Sequence, residues 1–250
     1  MAPKTAVAKA APKGGALVSG DQSEALAKLR ARLMAPTGDK IKISNKQFKL
    51  PGGDVLDFLD VVIVDFVYYN VYYEGAFDSN NIMPPNCFAI AEEPKTIAPS
   101  NNSPDKQCES CAGCWANEFG SSGKGKACQN RVLMAVLPTD ANEETPFAIL
   151  DISPTAVKGF SSYLQSVVRG FQKMPYEVVT HIECNPATKH DVAIFSEPQE
   201  IEDIGFLGMV ESRLGEAKER LTTEPDVSAF KAANDAPKKG ALKAPARRRA

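Results

Sequence analysis

The stretch Leu59–Tyr73, LDVVIVDFVYYNVYY, decides the fold. β-branched and aromatic residues fill it, and such side chains suit a pleated, buried surface. Strict alternation puts Val62, Val64, Phe66, Tyr68, Asn70 and Tyr72 on one face. It puts Val61, Ile63, Asp65, Val67, Tyr69, Val71 and Tyr73 on the other. Both faces are mainly apolar. A strand this long with two apolar faces is either central in a sheet or curved around a barrel. Asp60, Asp65 and Asn70 interrupt it, so it is no membrane span.

The neighbouring segments extend the pattern. Ile41–Leu50 (IKISNKQFKL) alternates as a strand with Ile41, Ile43 and Phe48 inward, and Pro51-Gly52-Gly53-Asp54 is a turn. Upstream, Ser19 or Asp21 caps a short helix with Leu26, Leu29 and Leu33 as its apolar stripe, ended by Pro36-Thr37-Gly38. Downstream, Val132–Leu137 and Phe147–Ile152 read as a strand pair. Ser153-Pro154 opens a helix, with Ser as cap and Pro at the first helical position. Its stripe is Val157, Phe160, Leu164, Val167 and Phe171. Tyr176–Cys184 and Asp191–Phe195 form a hairpin, and a last helix runs from about Ile201 to Leu221. The fold class is α+β, mainly antiparallel β, with flanking helices. A helix before the last two strands matches a small oligonucleotide-binding (OB-like) barrel, which carries one between its third and fourth strands.

Gly75–Asn130 does not fit that core. It is rich in Pro, Asn, Ser and Gly, and a loop this long is uncommon unless functional or clamped. The clamp is visible. Five of the six cysteines fall at Cys87 and in Cys108-x2-Cys111-x2-Cys114-x13-Cys128. Four thiolates close a tetrahedron around zinc and leave no position for water, so the expected metal is structural and non-catalytic. Cys108, Cys111 and Cys128 are candidate ligands. The fourth is Cys87 or Cys114, with Cys87 preferred because a C-x2-C-x2-C run seldom gives three ligands to one zinc. Ferredoxin-like spacing makes an iron–sulfur cluster the rival, but no Cys-Pro follows and the last cysteine is distant.

Gly120–Ala127 (GSSGKGKA) nearly spells a phosphate loop, with Ala127 where the magnesium-binding Ser or Thr belongs. A flexible basic lobe beside the metal makes better sense. Lys124, Lys126 and Arg131 are candidate phosphate contacts, and Tyr69, Tyr72 and Trp115 are candidate stacking platforms for unpaired bases. His181 and His190 read as structural residues, and no carboxylate pair or nucleophile–base pair suggests an enzyme.

Charge is segregated along the chain. Residues 1–20 carry Lys4, Lys9 and Lys13 and no acid, and residues 231–250 carry seven cations against Asp235. The net charge is −2, so the body between these +3 and +6 tails carries −11. Basic tails suit phosphate backbones. Both tails, 1–20 and 224–250, have compositions expected of disorder, flanking one globular domain over 21–223 with its insertion at 75–130. The N-terminus lacks the apolar core of a secretory signal, so a cytoplasmic protein with reduced cysteines is expected.

Residues 38–200 also resemble a group of tailed-bacteriophage proteins. The likeness rests on Phe48-Lys49-Leu50-Pro51-Gly52-Gly53, the long strand, PPNCFAI, CESCAGC and GSSGKGKAC. It implies a DNA-metabolism protein that binds single-stranded DNA in replication, recombination or repair, and RNA is the other single-stranded partner the residues would accept. It also implies Cys87, Cys108, Cys111 and Cys128 as the ligand set, with Cys114 spare; phage or host replication proteins are the protein partners expected of such a role. The chain departs from phage single-stranded DNA-binding proteins in ending with Ala-Arg-Arg-Arg-Ala instead of an acidic tail. The alternative is a zinc-containing interaction module acting on host transcription or replication machinery.

Overall fold

The long strand, β4 (Phe58–Tyr72), is the axis of a mixed α+β structure. A computed structural model of the protein describes residues 39–75, 83–228 and 230. The helix expected after Asp21 and both basic tails therefore lie outside the described residues, apart from 224–228 and 230.

Nine strands form one curled, mostly antiparallel sheet. They are β1 (Lys40–Ser44), β2 (Gln47–Lys49), β3 (Val55–Leu56), β4, β5 (Cys87–Ala91), β6 (Cys128–Pro138), β7 (Ala148–Ile152), β8 (Val178–Cys184) and β9 (Ala193–Glu200). The order is β3-β2-β1-β7-β6-β4-β8-β9, with β5 also on β4. β6 runs along one edge of β4 from Val61 to Tyr72. The other edge is shared: β8 pairs with Phe58–Val61 and β5 with Tyr68–Tyr72. α1 (Pro154–Ser166) lies between β7 and β8, where the sequence placed it. The expected barrel is not closed among the described residues. β7 pairs with β1, in parallel, so β9 ends the path.

β4 is buried on both faces, but its faces do not follow strict alternation. A bulge between Ile63 and Asp65 inserts one extra residue and exchanges the two sides. Val61 and Ile63 thus share a core with Phe66, whereas Val62 and Val64 share one with Val67, Tyr69 and Val71. The first core is roofed by α1 through Ala156, Phe160 and Tyr163. The second is covered by α2 (Ile204–Ser212) and α3 (Leu214–Thr222) through Val210, Ala217 and Leu221. Burying each Val, Leu, Ile or Phe side chain in these cores contributes about 1.5–3 kcal/mol.

Three local expectations change. Ile41–Leu50 is a hairpin, because Asn45 and Lys46 both adopt positive φ (56° and 63°) and reverse the chain. The single final helix is split at Arg213, whose guanidinium donates to the Thr145 carbonyl (2.7 Å) and lies 4.3 Å from the centre of the Phe147 ring. The stripe of α1 turns toward Ala156, Phe160 and Tyr163, and Phe171 is exposed at its π-helical end. Among the described residues no helix is long and apolar enough to cross a membrane.

Candidate functional site

The site grows from the C-terminal end of β4. Tyr72 is paired on one side with Cys87 of β5 and on the other with Cys128 of β6. Residues in register on adjacent strands point to the same face, so both thiols flank the Tyr72 side chain. They stand about 10 Å apart at Cα, two strand spacings, which is beyond disulfide reach. The segment between β5 and β6 returns over this face and brings three more thiols. Ser110 accepts from the Ala112 N–H and starts the 3-10 turn Cys111–Gly113, and a second turn, Trp115–Asn117, follows at once.

All five cysteines then line one cavity of about 10 Å³, together with Asn70, Tyr72 and Asn117. That volume is the scale of one water molecule or one ion, since a water needs roughly 10–15 Å³. Cys87, Cys111, Cys114 and Cys128 are buried and Cys108 is half-buried, and all are free thiols. Among the described residues no group of three or more ligand-type side chains is already set to hold a metal ion. Cys114, expected to be spare, borders the cavity with the other four and neighbours Cys108. Burial pushes the Cys108 and Cys128 thiols up to about 12, and neighbouring thiols add to the effect. Such thiols stay protonated at neutral pH unless a cation displaces the proton. An all-sulfur donor set suits zinc or another thiophilic metal and not calcium or magnesium.

A polar network holds the cage to the sheet. Asn70 is 6% exposed, yet it is a polar residue near the C-terminal end of the sheet's longest strand. Its side chain faces the Cys111 thiol, and its Oδ1 accepts from Asn130 Nδ2 at 2.8 Å. Lys126 Nζ donates to Asn130 Oδ1 and to Asn117 Oδ1, each at 2.9 Å. Asn117 Nδ2 donates to the Cys111 carbonyl at 2.8 Å. Sequence reading missed Asn70, Asn117 and Asn130, although an Asn inside an otherwise apolar strand is a signal that something polar faces it.

The six proposed nucleic-acid contacts separate. Tyr72 and Trp115 meet edge to face, with ring centroids 5.6 Å apart. Trp115 is 46% exposed, and Phe119, outside the expected set, is 82% exposed. Lys124 is exposed on the same lobe. Lys126 is held by its two asparagines. Tyr69 and Arg131 lie in register with each other on the opposite face. Tyr69 is buried in the core under α2 and α3, and burial pushes its hydroxyl far above the usual range. Arg131 Nε pairs with Asp151 Oδ1 at 2.7 Å.

The phosphate-loop likeness also fails in three dimensions. A strand, not a helix, follows Ala127. The amides of Gly120, Ser122, Gly123 and Lys124 donate to carbonyls within the loop, so they do not form a phosphate cradle. His181 Nδ1 meets Asp60 Oδ1 at 2.7 Å and stacks against Phe58, a structural use.

No protein-family profile, curated protein or solved structure matches this chain.

Proposed function

We propose that the protein is a non-enzymatic binder of single-stranded nucleic acid. Its binding lobe is held in shape by one structural zinc ion. Four of Cys87, Cys108, Cys111, Cys114 and Cys128 supply the thiolates. The small cavity suits a single ion better than an iron–sulfur cluster. Zinc bound there adds rigidity to a segment whose own side chains bury little.

The observation that carries the reading is the half-exposed Trp115, braced edge-on by Tyr72 beside the thiol cavity. A lone Trp fixed in a polar loop is a platform for an unpaired base. Phe119 offers a second π-face, and Lys124 offers charge. The order β7-β6-β4-β8-β9, with α1 before the last two strands, supports an OB-like core. In that order the lobe is the loop between the first and second barrel strands, one of the loops OB proteins use for oligonucleotides. The other usual surface, the outer face of the second and third strands, is here covered by α2 and α3. Binding is therefore assigned to the lobe, with the basic tails adding salt-sensitive affinity. The resemblance to phage proteins supports a setting in phage DNA replication, recombination or repair.

The test is metal analysis paired with titration of an oligo-dT. We expect one zinc per chain and an affinity that falls steeply with salt. Trp115→Ala weakens binding by about 1–3 kcal/mol, the value of one stacked base. Absence of binding by the zinc-loaded wild type refutes the reading.

A further inference from the structure

We infer a second binding site at the opposite end of β4, a groove for an extended partner peptide that carries a bulky apolar side chain beside a lysine or arginine. The site is independent of the metal and of the nucleic-acid reading. It arises because the sheet curls until its β2–β3 end returns to the start of β4. Phe48 of β2 shares a core with Leu59 and Val61 of β4. The fold leaves a pocket of about 450 Å³ inside that curl, floored by Ile41, Leu59 and Val136. Pockets of this volume at the mouth of a β-barrel are the usual places for ligands.

Three observations define the occupant. The rim is apolar and open: Val55, Leu56 and Phe58 are 47%, 40% and 50% exposed, a cluster of large side chains from one short segment. Among the described residues the only charged ones lining the pocket are two carboxylates, Asp57 and Asp60. Asp57 Oδ1 accepts from Gln47 and Asp60 Oδ1 meets His181, so each keeps one oxygen for a further donor. Lys42 and Lys49 are paired with each other in register on the face of the hairpin opposite Ile41 and Phe48. Finally, β3 ends the sheet and pairs only with β2 among the described residues. Its free backbone edge offers hydrogen bonds to an added strand, and alternate side chains of that strand would reach the pocket. An apolar floor, an acidic rim and an open edge together specify a peptide with an apolar anchor flanked by a cation.

The experiment uses two synthetic heptapeptide pools with Phe, Leu or Ile at the centre, flanked in one pool by Lys or Arg and in the other by Glu. Binding to the full chain is read by fluorescence anisotropy and by methyl shifts of Val55, Leu56, Leu59 and Val136. The basic pool should bind and move those methyls, and the acidic pool should bind at least tenfold more weakly. Asp57→Asn with Asp60→Asn, which preserves shape, should remove most of that preference. Leu56→Asp should abolish binding while leaving the oligo-dT affinity unchanged. The inference is overturned if neither pool moves these methyls, or if both bind equally. It is also overturned if the groove closes a dimer that Leu56→Asp dissociates, because the occupant is then a second copy.

Discussion

Asn70→Leu tests the central claim, that the sheet positions the thiol cage. Leu keeps the volume and suits a strand, so packing is little changed. The hydrogen bond to Asn130 is lost, and with it the polar contact to the Cys111 thiol. A hydrogen bond is worth about 1 kcal/mol net, and a buried partner left without a polar neighbour adds to the loss. Asn130 is only half-buried and regains water, whereas the Cys111 sulfur is buried and does not. The expected loss is therefore about 2 kcal/mol in urea unfolding of the metal-free protein. The metal-loaded protein should respond more strongly. Outer-shell partners of metal ligands typically change affinity by roughly 10- to 100-fold. Competition with a chromophoric zinc chelator reads that change directly. Asn70→Asp sharpens the test, since it keeps the acceptor for Asn130 but replaces the amide facing Cys111 with a carboxylate. Its zinc affinity should fall at least as far as that of Asn70→Leu. Chelator midpoints of wild type and both variants within twofold of one another would refute the claim that Asn70 tunes the cage.

Other outcomes follow from the same geometry. Arg213→Met should cost about 2–4 kcal/mol in denaturant unfolding, because it leaves the Thr145 carbonyl without its donor and removes the cation over Phe147. Tyr69→Phe should leave oligonucleotide affinity unchanged, since this ring lies in the core away from the lobe. Lys126→Met should lower zinc affinity and leave the salt slope of DNA binding unaltered, because both asparagines already hold the ammonium. Asp65 is half-buried at the bulge, and desolvation raises its carboxyl above the usual range. A carboxyl raised on folding favours the folded state when protonated, and that advantage is lost as pH rises through the folded value. Asp65→Asn should therefore raise the unfolding midpoint at pH 7 and leave it unchanged at pH 3. The amide oxygen keeps the bond from the Phe66 N–H.

The centrality of β4 was legible because composition alone shows two apolar faces. Which residue lies on which face was not, since the bulge at Asp65 leaves no mark on a period-two pattern. The Asn45–Lys46 turn escaped notice because the sequence lacks the Gly that usually announces such hairpins. β5 was hidden among prolines and cysteines, and it forms because β4 offers Tyr68–Tyr72 an edge that β8 does not reach. The break at Arg213 is a tertiary event, fixed by Thr145 and Phe147 on a distant segment. The convergence of the cysteines was readable from their spacing. Their support was not, because Asn70, Asn117, Asn130 and Lys126 are scattered over sixty positions and meet only through strand register.

That register also explains why both candidate sites belong to one strand. β4 outruns either of the partners on its second edge. Each end therefore borders a gap that the rest of the chain fills differently: thiols and asparagines at Tyr72, and an open apolar curl at Phe58. The fifteen-residue strand between them is packed on both faces and cannot flex independently. The two sites should therefore bind their ligands without influencing each other. Calorimetric titration of oligo-dT into protein saturated with the basic peptide pool measures this. Affinities with and without peptide should agree within twofold. A larger difference would mean that the strand transmits strain, and that the two ends form one device.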